Sequence, residues 1–374
     1  MFPIPIISKY GNNIPVITGI KKYVAMFNGL MVLSTSGDLY AIGQNSNGMF
    51  GTGDTTAITT WRKINSNVND VWASDQSGTL VRKNDGTWQT AGLNRFTGSS
   101  VTYNTYTDCT SYFVQYNNNY RALYYNTENV YIIDNNDNLL GMGRNSSGQL
   151  GTGNTTAVTS FTQLRTSVNK ISFTMDSISV AVLHKDGTVY TCGSNSNLQL
   201  GYSTVTTANR FQQVTGISGT VTDVQMGYLC MYVLSTSGLY TCGTQFSGQL
   251  GNGVSANTNR SFAQQSISFG VPSKMWGNRY QIIVKIGTSY YFSGQNMTGS
   301  ASSGGSNFTL IPASYIANLN PSDDSLQLGY MKLYALVNNN LYGSGNYNAG
   351  SVQNLLPYFT ANVVGLQLLD RTIK

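Results

Sequence analysis

An all-β fold, a single seven-bladed β-propeller filling residues 1–374, is what this sequence predicts, on three observations. Seven glycines, Gly43, Gly92, Gly143, Gly193, Gly243, Gly294 and Gly345, recur at intervals of 49 to 51 residues. Each follows the same local pattern of an apolar run, a polar turn and a short aromatic or apolar run, as in "MVLSTSGDLYAIG" and "AVLHKDGTVYTCG". And "GRNSSGQLGTGNTTAVTSF", from Gly143, nearly copies "GQNSNGMFGTGDTTAITTW", from Gly43, with weaker copies starting at Gly193 and Gly243.

The pattern before each glycine reads as a β-hairpin. Gly, Asn and Asp tolerate positive φ at the turn, and Val, Ile, Leu and Tyr suit the flanking pleated strands. Upstream lies another short strand, as in "VNDVWAS", "VNKISFT", "VTDVQMG" and "DSLQLGY". Downstream comes the glycine-rich loop, then an aromatic-led strand such as those at Trp61, Phe161 and Phe211. Such a four-stranded unit cannot bury both faces alone, so it must stack on its neighbours, and a ring of units leaves only short edges. The repeats fall at approximately 20–66, 67–115, 116–166, 167–219, 220–270, 271–323 and 324–362. Terminal strands are expected in 1–19 ("IPIISKY") and 363–374 (around Val363 to Leu369), one or both completing a blade contributed mainly by the opposite terminus. Helix should be almost absent, because no segment sustains a 3.6-residue period.

Composition bounds the function. Charged residues are 10% of the chain, far below the ~25% of ordinary soluble domains, whereas 40% hydrophobic residues suffice for a core. The net charge of +6 is scattered, with no run beyond Lys21-Lys22, so nucleic-acid binding is not expected. No membrane-length apolar run occurs, and the first residues make a poor secretory signal. Cys109, Cys192, Cys230 and Cys242 suit buried thiols better than a disulfide framework, with a Cys230–Cys242 bridge left open.

Little in the chain suggests chemistry. His184 is the only histidine, just before a hairpin turn, and reads as a solvent-facing strand end. "DNNDN", from Asp134 to Asn138, begins like a calcium loop but has Leu139 and Asn145 where Gly and Glu are needed. "GSASSGGSNF", from Gly299 to Phe308, lacks a phosphate-loop lysine and reads as a surface loop. Asp75, Asp176 and Asp223 could approach a central channel, but at different phases of the repeat. No catalytic residue, metal ligand or cofactor is therefore expected. The repeat glycines are read as scaffold, letting strand ends turn closely against the next blade, with Asn45, Asn145 and Asn195 bonding backbone groups in those turns.

The phrase from Gly143 to Gly153, G-x-N-x-x-G-Q-L-G-x-G, resembles the repeat of the regulator of chromosome condensation family. The resemblance spans about residues 20 to 360 and implies a seven-bladed β-propeller. The best known members of that family activate a small GTPase and bind chromatin. Their G-x-x-H histidine is missing from "FNGLMVLS", "DSISVAVL", "GYLCMYVL" and "NRYQIIVK", and so is a basic tail, so nucleotide exchange is not carried over.

Recognition is what remains. The tyrosine-rich stretch from Val101 to Tyr131 offers Tyr103, Tyr106, Tyr116 and Tyr120 as exposed binding candidates, although many of its tyrosines should fill space between blades. Enrichment in Asn, Ser, Thr, Gly and Tyr resembles bacteriophage exterior proteins. The leading expectation is thus a non-enzymatic virion or tail protein in multiple copies, exposed after host lysis and binding a host surface glycan or protein, or other virion proteins. The alternative is a cytoplasmic protein-docking propeller, and a glycan hydrolase is the third reading.

Overall fold

The computed structural model describes residues 17–368 except 18, 27–28, 75–76, 117–118, 175–177, 247, 255–257, 279–280, 295–304, 312–325, 330–331, 338–339 and 346–366. The expected N-terminal strand lies outside these residues, as do Asp75 and Asp176.

Among the described residues twenty-eight strands form seven antiparallel four-stranded meanders. Sheet 1 holds β1 (Ile20–Met26), β2 (Gly29–Ser34), β3 (Leu39–Gly43) and β4 (Ile58–Asn65). Sheet 2 holds β5 (Val68–Ala73), β6 (Gly78–Lys83), β7 (Trp88–Asn94) and β8 (Val101–Asp108). Sheet 3 holds β9 (Ala122–Tyr125), β10 (Asn129–Ile133), β11 (Leu139–Gly143) and β12 (Val158–Arg165). Sheet 4 holds β13 (Val168–Phe173), β14 (Ser179–His184), β15 (Val189–Ser194) and β16 (Thr207–Gln213). Sheet 5 holds β17 (Val221–Met226), β18 (Cys230–Ser235), β19 (Gly238–Gln245) and β20 (Thr258–Gln264). Sheet 6 holds β21 (Lys274–Gly277), β22 (Gln281–Ile286), β23 (Ser289–Gly294) and β24 (Gly305–Leu310). Sheet 7 holds β25 (Leu326–Gly329), β26 (Lys332–Val337), β27 (Asn340–Gly345) and β28 (Gln367–Leu368). Among the described residues the helical segments are three-residue 3-10 turns.

The sheets stand side by side as the blades of a β-propeller. Each is buried on both faces, which is why the second strands read as continuous apolar runs: "GLMVLS" in β2 and "CMYVLS" in β18 are buried at every position. A buried apolar cluster fills the gap between each sheet and the next. Met31, Val71 and Val81 lie between sheets 1 and 2, Ile283, Tyr290 and Leu326 between sheets 6 and 7, and Tyr23, Val32 and Tyr334 between sheets 7 and 1.

Two expectations change here. Among the described residues six sheets end in a fourth strand of six residues or more, whereas that of sheet 7 is described over Gln367–Leu368 alone, so six blades are complete where seven were expected. That last strand pairs with Tyr342 and Gly343 of its own end of the chain and does not complete a blade from the opposite terminus. Contact between sheets 7 and 1 is instead made by Gln327 on β25, whose amide accepts from the Ala25 N–H (3.2 Å) and donates to the Tyr23 carbonyl (3.1 Å) on β1. Gln225 makes the same kind of tie from β17 to Met275 (2.9 Å) and Gly277 (2.5 Å) on β21. Of "GSASSGGSNF", Gly305 to Phe308 are strand, in β24, and not loop.

The repeated phrase now has a structural meaning. Asn145 is fully buried, accepts from the Leu150 N–H (2.9 Å), and donates to the Thr152 hydroxyl (3.1 Å) and the Asn154 carbonyl (2.9 Å). Asn45 closes its loop in the same way, and Asn195 does so through the Leu200 N–H and the Tyr202 and Val205 carbonyls. The glycines divide into two jobs. Gly143, at φ +125°, would set a Cβ 2.2 Å from the Glu128 carbonyl, so the landmark glycine serves its own sheet and not the next one. Gly151, at φ +65°, would drive a Cβ to 2.4 Å from the ring of Phe211 on sheet 4. Gly51 meets Tyr106 of sheet 2, and Gly251 meets Phe308 of sheet 6, in the same manner. The loops of sheets 1, 3 and 5 therefore lean on the outer strand of the sheet that follows, and two of them add a β-bridge, Thr52 to Thr105 and Thr152 to Arg210.

Candidate docking face

The meander sorts the connections to two sides of the disc. Long glycine-rich loops between third and fourth strands leave one side, the loop face. Hairpin turns between second and third strands, and the connections from each sheet to the next, leave the other, the turn face.

Charge gathers at the inner end of the turn face. In β1, β5, β13 and β17 a bulge interrupts the pairing after the first residue, between Ile20 and Lys22, Val68 and Asp70, Val168 and Lys170, and Val221 and Asp223. A bulge re-aims the side chains that follow it, and here those are Lys, Asp, Lys and Asp. Lys22 pairs with Asp70 at 2.6 Å and lies 4.7 Å over the Trp72 ring, tying sheet 1 to sheet 2. Lys170 pairs with Asp223 across sheets 4 and 5. Asp137 takes both Arg121 (3.0 Å) and Lys185, and the Lys185 hydrogen bond first, then desolvation opposed by both cations, leaves its carboxyl below the usual value. Of the three channel aspartates considered from sequence, only Asp223 is described, and it is committed to this ion pair.

The same face carries apolar surface. The connection from β8 to β9 holds two 3-10 turns, Thr110–Tyr112 and Val114–Tyr116. Phe113 anchors it from below, stacked on Trp88 (4.4 Å), which stacks on Trp72 (5.5 Å). Above that stack Tyr112 and Val114 are exposed, Val114 at 68%. The connection from β20 to β21 exposes Phe269 and Val271, and Leu310 is exposed at the turn-face end of β24. Of the six large hydrophobic residues exposed among the described residues, only Val101 lies at the loop face.

The four tyrosines chosen from sequence do not form one site. Tyr103 and Tyr106 are on β8, and all four are half-buried. Tyr106 is a correction: its ring fills the space beside Gly51 and its hydroxyl is enclosed, so it packs sheets 1 and 2 together. Burial pushes its phenol far above the ordinary value. Tyr116 and Tyr120 do reach the turn face, Tyr116 edge-on to Phe161 (5.0 Å) and Tyr120 tilted against Trp88 (6.3 Å). Sequence reasoning missed Tyr112, Val114, Phe269, Val271 and Leu310; apolar residues in otherwise polar connections between blades were the available signal.

His184 is also corrected. It is half-buried, accepts from the Arg165 Nε–H at Nε2 (2.8 Å) and lies against Tyr190 (4.7 Å). Burial first and Arg165 second hold its pKa below the ordinary value. Asp134 closes its hairpin by accepting from the N–H groups of Asn136 and Asn138. Cys230 pairs with Gly243 and Cys242 with Met231, so the two thiols point to opposite faces of sheet 5 and are free.

The fold is shared with solved structures of other proteins, three of which follow. Human WBSCR16 matches with a TM-score of 0.65 at 13% identity, over 84% of this chain and 86% of that one. Yeast RCC1 (Prp20), solved bound to Kap60, matches with 0.65 at 14% identity, over 90% and 82%. Prp20p from Saccharomyces cerevisiae, described with its binding to Gsp1p and histones, matches with 0.62 at 14% identity, over 90% and 84%. No family model and no curated protein sequence matches the chain. At these identities the likeness shows the fold, an RCC1-like β-propeller.

Proposed function

We propose that this protein is a non-enzymatic docking propeller that binds other proteins through its turn face, with sheet 7 serving as a seventh blade. The observation that carries the reading is the concentration of exposed large hydrophobics on that face, in two connections and at the end of β24. Exposed apolar surface rimmed by polar and charged groups is what a protein interface offers before it is covered. Rigidity comes from below, through the stacked rings under Tyr112 and the ion pairs between sheets, so a partner would meet preformed loops. The RCC1-like neighbours support the reading, since yeast RCC1 was solved bound to a protein partner, Kap60.

This favours the cytoplasmic docking alternative over the virion reading, which rests on composition alone. Among the described residues no helix is long and apolar enough to cross a membrane. The test is sedimentation of the fluorescently labelled protein in extract of its source cells. Val114→Ser with Phe269→Ser should return the fast-sedimenting fraction to monomer, whereas Val101→Ser should leave it unchanged; the reverse pattern would refute turn-face docking.

A further inference from the structure

The sequence holds three Asn–Gly pairs, Asn28–Gly29, Asn47–Gly48 and Asn252–Gly253, and two Asp–Gly pairs, Asp85–Gly86 and Asp186–Gly187. In such a pair no side chain shields the glycine nitrogen, so it can reach the carbonyl carbon of the side chain before it. Whether it does so depends on where the fold sends the glycine N–H. Asn28 lies outside the described residues. Of the other four pairs, three have that N–H committed: Gly48 donates to the Asn45 carbonyl (3.0 Å), Gly86 to the Lys83 carbonyl (3.1 Å) and Gly187 to the His184 carbonyl (3.1 Å). Gly48 is also enclosed, since a Cβ there would stand 2.5 Å from Asn104. Gly253 differs, because its N–H meets no hydrogen-bond acceptor among the described residues.

A departure in the fifth copy of the repeat accompanies this. In the loops of sheets 1 and 3 the matching glycines, Gly53 and Gly153, donate to the Asn104 (2.8 Å) and Asn209 (2.7 Å) carbonyls on the outer strand of the next sheet. The residue before each is Thr52 or Thr152, whose hydroxyl is held by Asn45 or Asn145. In sheet 5, Gln245 stands in place of that asparagine and Asn252 in place of that threonine. The Asn252 side chain is also posed for attack. Its Oδ1 accepts from the Val254 N–H (3.1 Å), a turn that folds the side chain back over the Gly253 peptide. That donor stands where negative charge gathers on Oδ1 as the side-chain carbon becomes tetrahedral. Asn252 is half-buried and Gly253 exposed, so water reaches the pair.

We propose that Asn252 is a self-modification site on the loop face, where the folded protein converts its own asparagine to aspartate and isoaspartate. The Gly253 nitrogen gives its proton to solvent hydroxide and bonds to Asn252 Cγ. The Cγ–Nδ2 bond then breaks, and Nδ2 takes a proton back from water and leaves as ammonia, so a succinimide ring remains. Water adds to either carbonyl of that ring and breaks its bond to the shared nitrogen, giving the two products. Each product places a new carboxylate on the loop face. Isoaspartate also lengthens the backbone by one methylene next to Gly251, where a Cβ would already stand 2.3 Å from Phe308 of sheet 6. The site is on the face opposite the docking surface and does not rest on the docking reading.

The test is peptide mapping by mass spectrometry after the full chain has been incubated at mildly alkaline pH, folded and in guanidinium, with isoaspartate counted by an isoaspartyl methyltransferase. In guanidinium, positions 47 and 252 should convert at similar rates, since each asparagine is followed by glycine. In the folded protein position 252 should convert roughly tenfold faster than position 47 or more, because the Gly48 N–H must first give up a hydrogen bond in a packed turn. Asn252→Gln, whose amide carbon lies one methylene further from the Gly253 nitrogen, should remove the signal at that position and leave position 47 unchanged. An intact Asn252 in folded protein, under conditions that convert it in guanidinium, would overturn the proposal. So would conversion of Asn47 as fast as Asn252 in the folded chain.

Discussion

Replacing Asn145 by alanine tests whether the repeated phrase is held by one side chain. Asn145 is fully buried and makes three hydrogen bonds, to Leu150, Thr152 and Asn154. Each is worth about 1 kcal/mol net, and a buried group left unpaired costs up to about 3 kcal/mol. The loss should therefore be about 3 kcal/mol, less if water enters the space. Asn145→Asp keeps the acceptor for the Leu150 N–H but faces the Asn154 carbonyl with an oxygen and buries a charge, so it should cost more than alanine. Asn135→Ala, which removes an exposed bond to Asn119, is the control and should stay within about 0.5 kcal/mol. Urea unfolding followed by tryptophan fluorescence measures this, since Trp61 and Trp88 are fully buried. A loss for Asn145→Ala no larger than the control, at unchanged m-value, would refute the argument, as would Asp proving milder than Ala.

Three other outcomes follow from the packing. Gly151→Ala should destabilise the protein by at least about 1 kcal/mol, because the new Cβ meets Phe211 at φ +65°, and adding Phe211→Leu should recover part of the loss; additive losses would contradict it. Because His184 is held below its ordinary pKa, the unfolded chain binds its proton first as pH falls. Its stability contribution should be complete above about pH 6.5 and fade below it, so the melting temperature of His184→Gln should fall less from pH 7 to pH 5 than that of the parent. Burial raises all four thiols, Cys230 to about 12. A disulfide-exchange reagent at pH 8 should therefore find no reactive cysteine in the folded protein and four in guanidinium.

The blade pattern was legible because its signals are local. Gly143 and Asn145 are needed within one sheet and its loop whatever surrounds them, so their spacing survives in the sequence as a repeat. Even the departure at the fifth copy shows: Gln245 stands where Asn45, Asn145 and Asn195 stand, and its amide has no hydrogen-bond partner among the described residues. What sequence did not separate was which tyrosines face water. Tyr106 and Tyr116 look alike in a polar stretch, and only the approach of Gly51 from the preceding sheet encloses one of them. The charged ring was half visible: "VNDVWAS", "VNKISFT" and "VTDVQMG" share a phase, but the pairing of Lys170 with Asp223 needs the bulges and the neighbouring sheet. The docking face was not legible, since which connections share a side depends on strand direction.

If partners meet the turn face, side chains on that face lie within crosslinking reach of them. A photoreactive phenylalanine analogue placed singly at Tyr112, Phe269, Val101 or Thr55, followed by irradiation in extract of the source cells, reads this out. Turn-face docking predicts the same discrete crosslinked partner bands from positions 112 and 269, and none from positions 101 and 55 on the loop face. Bands from 101 and 55 without bands from 112 and 269 would contradict it.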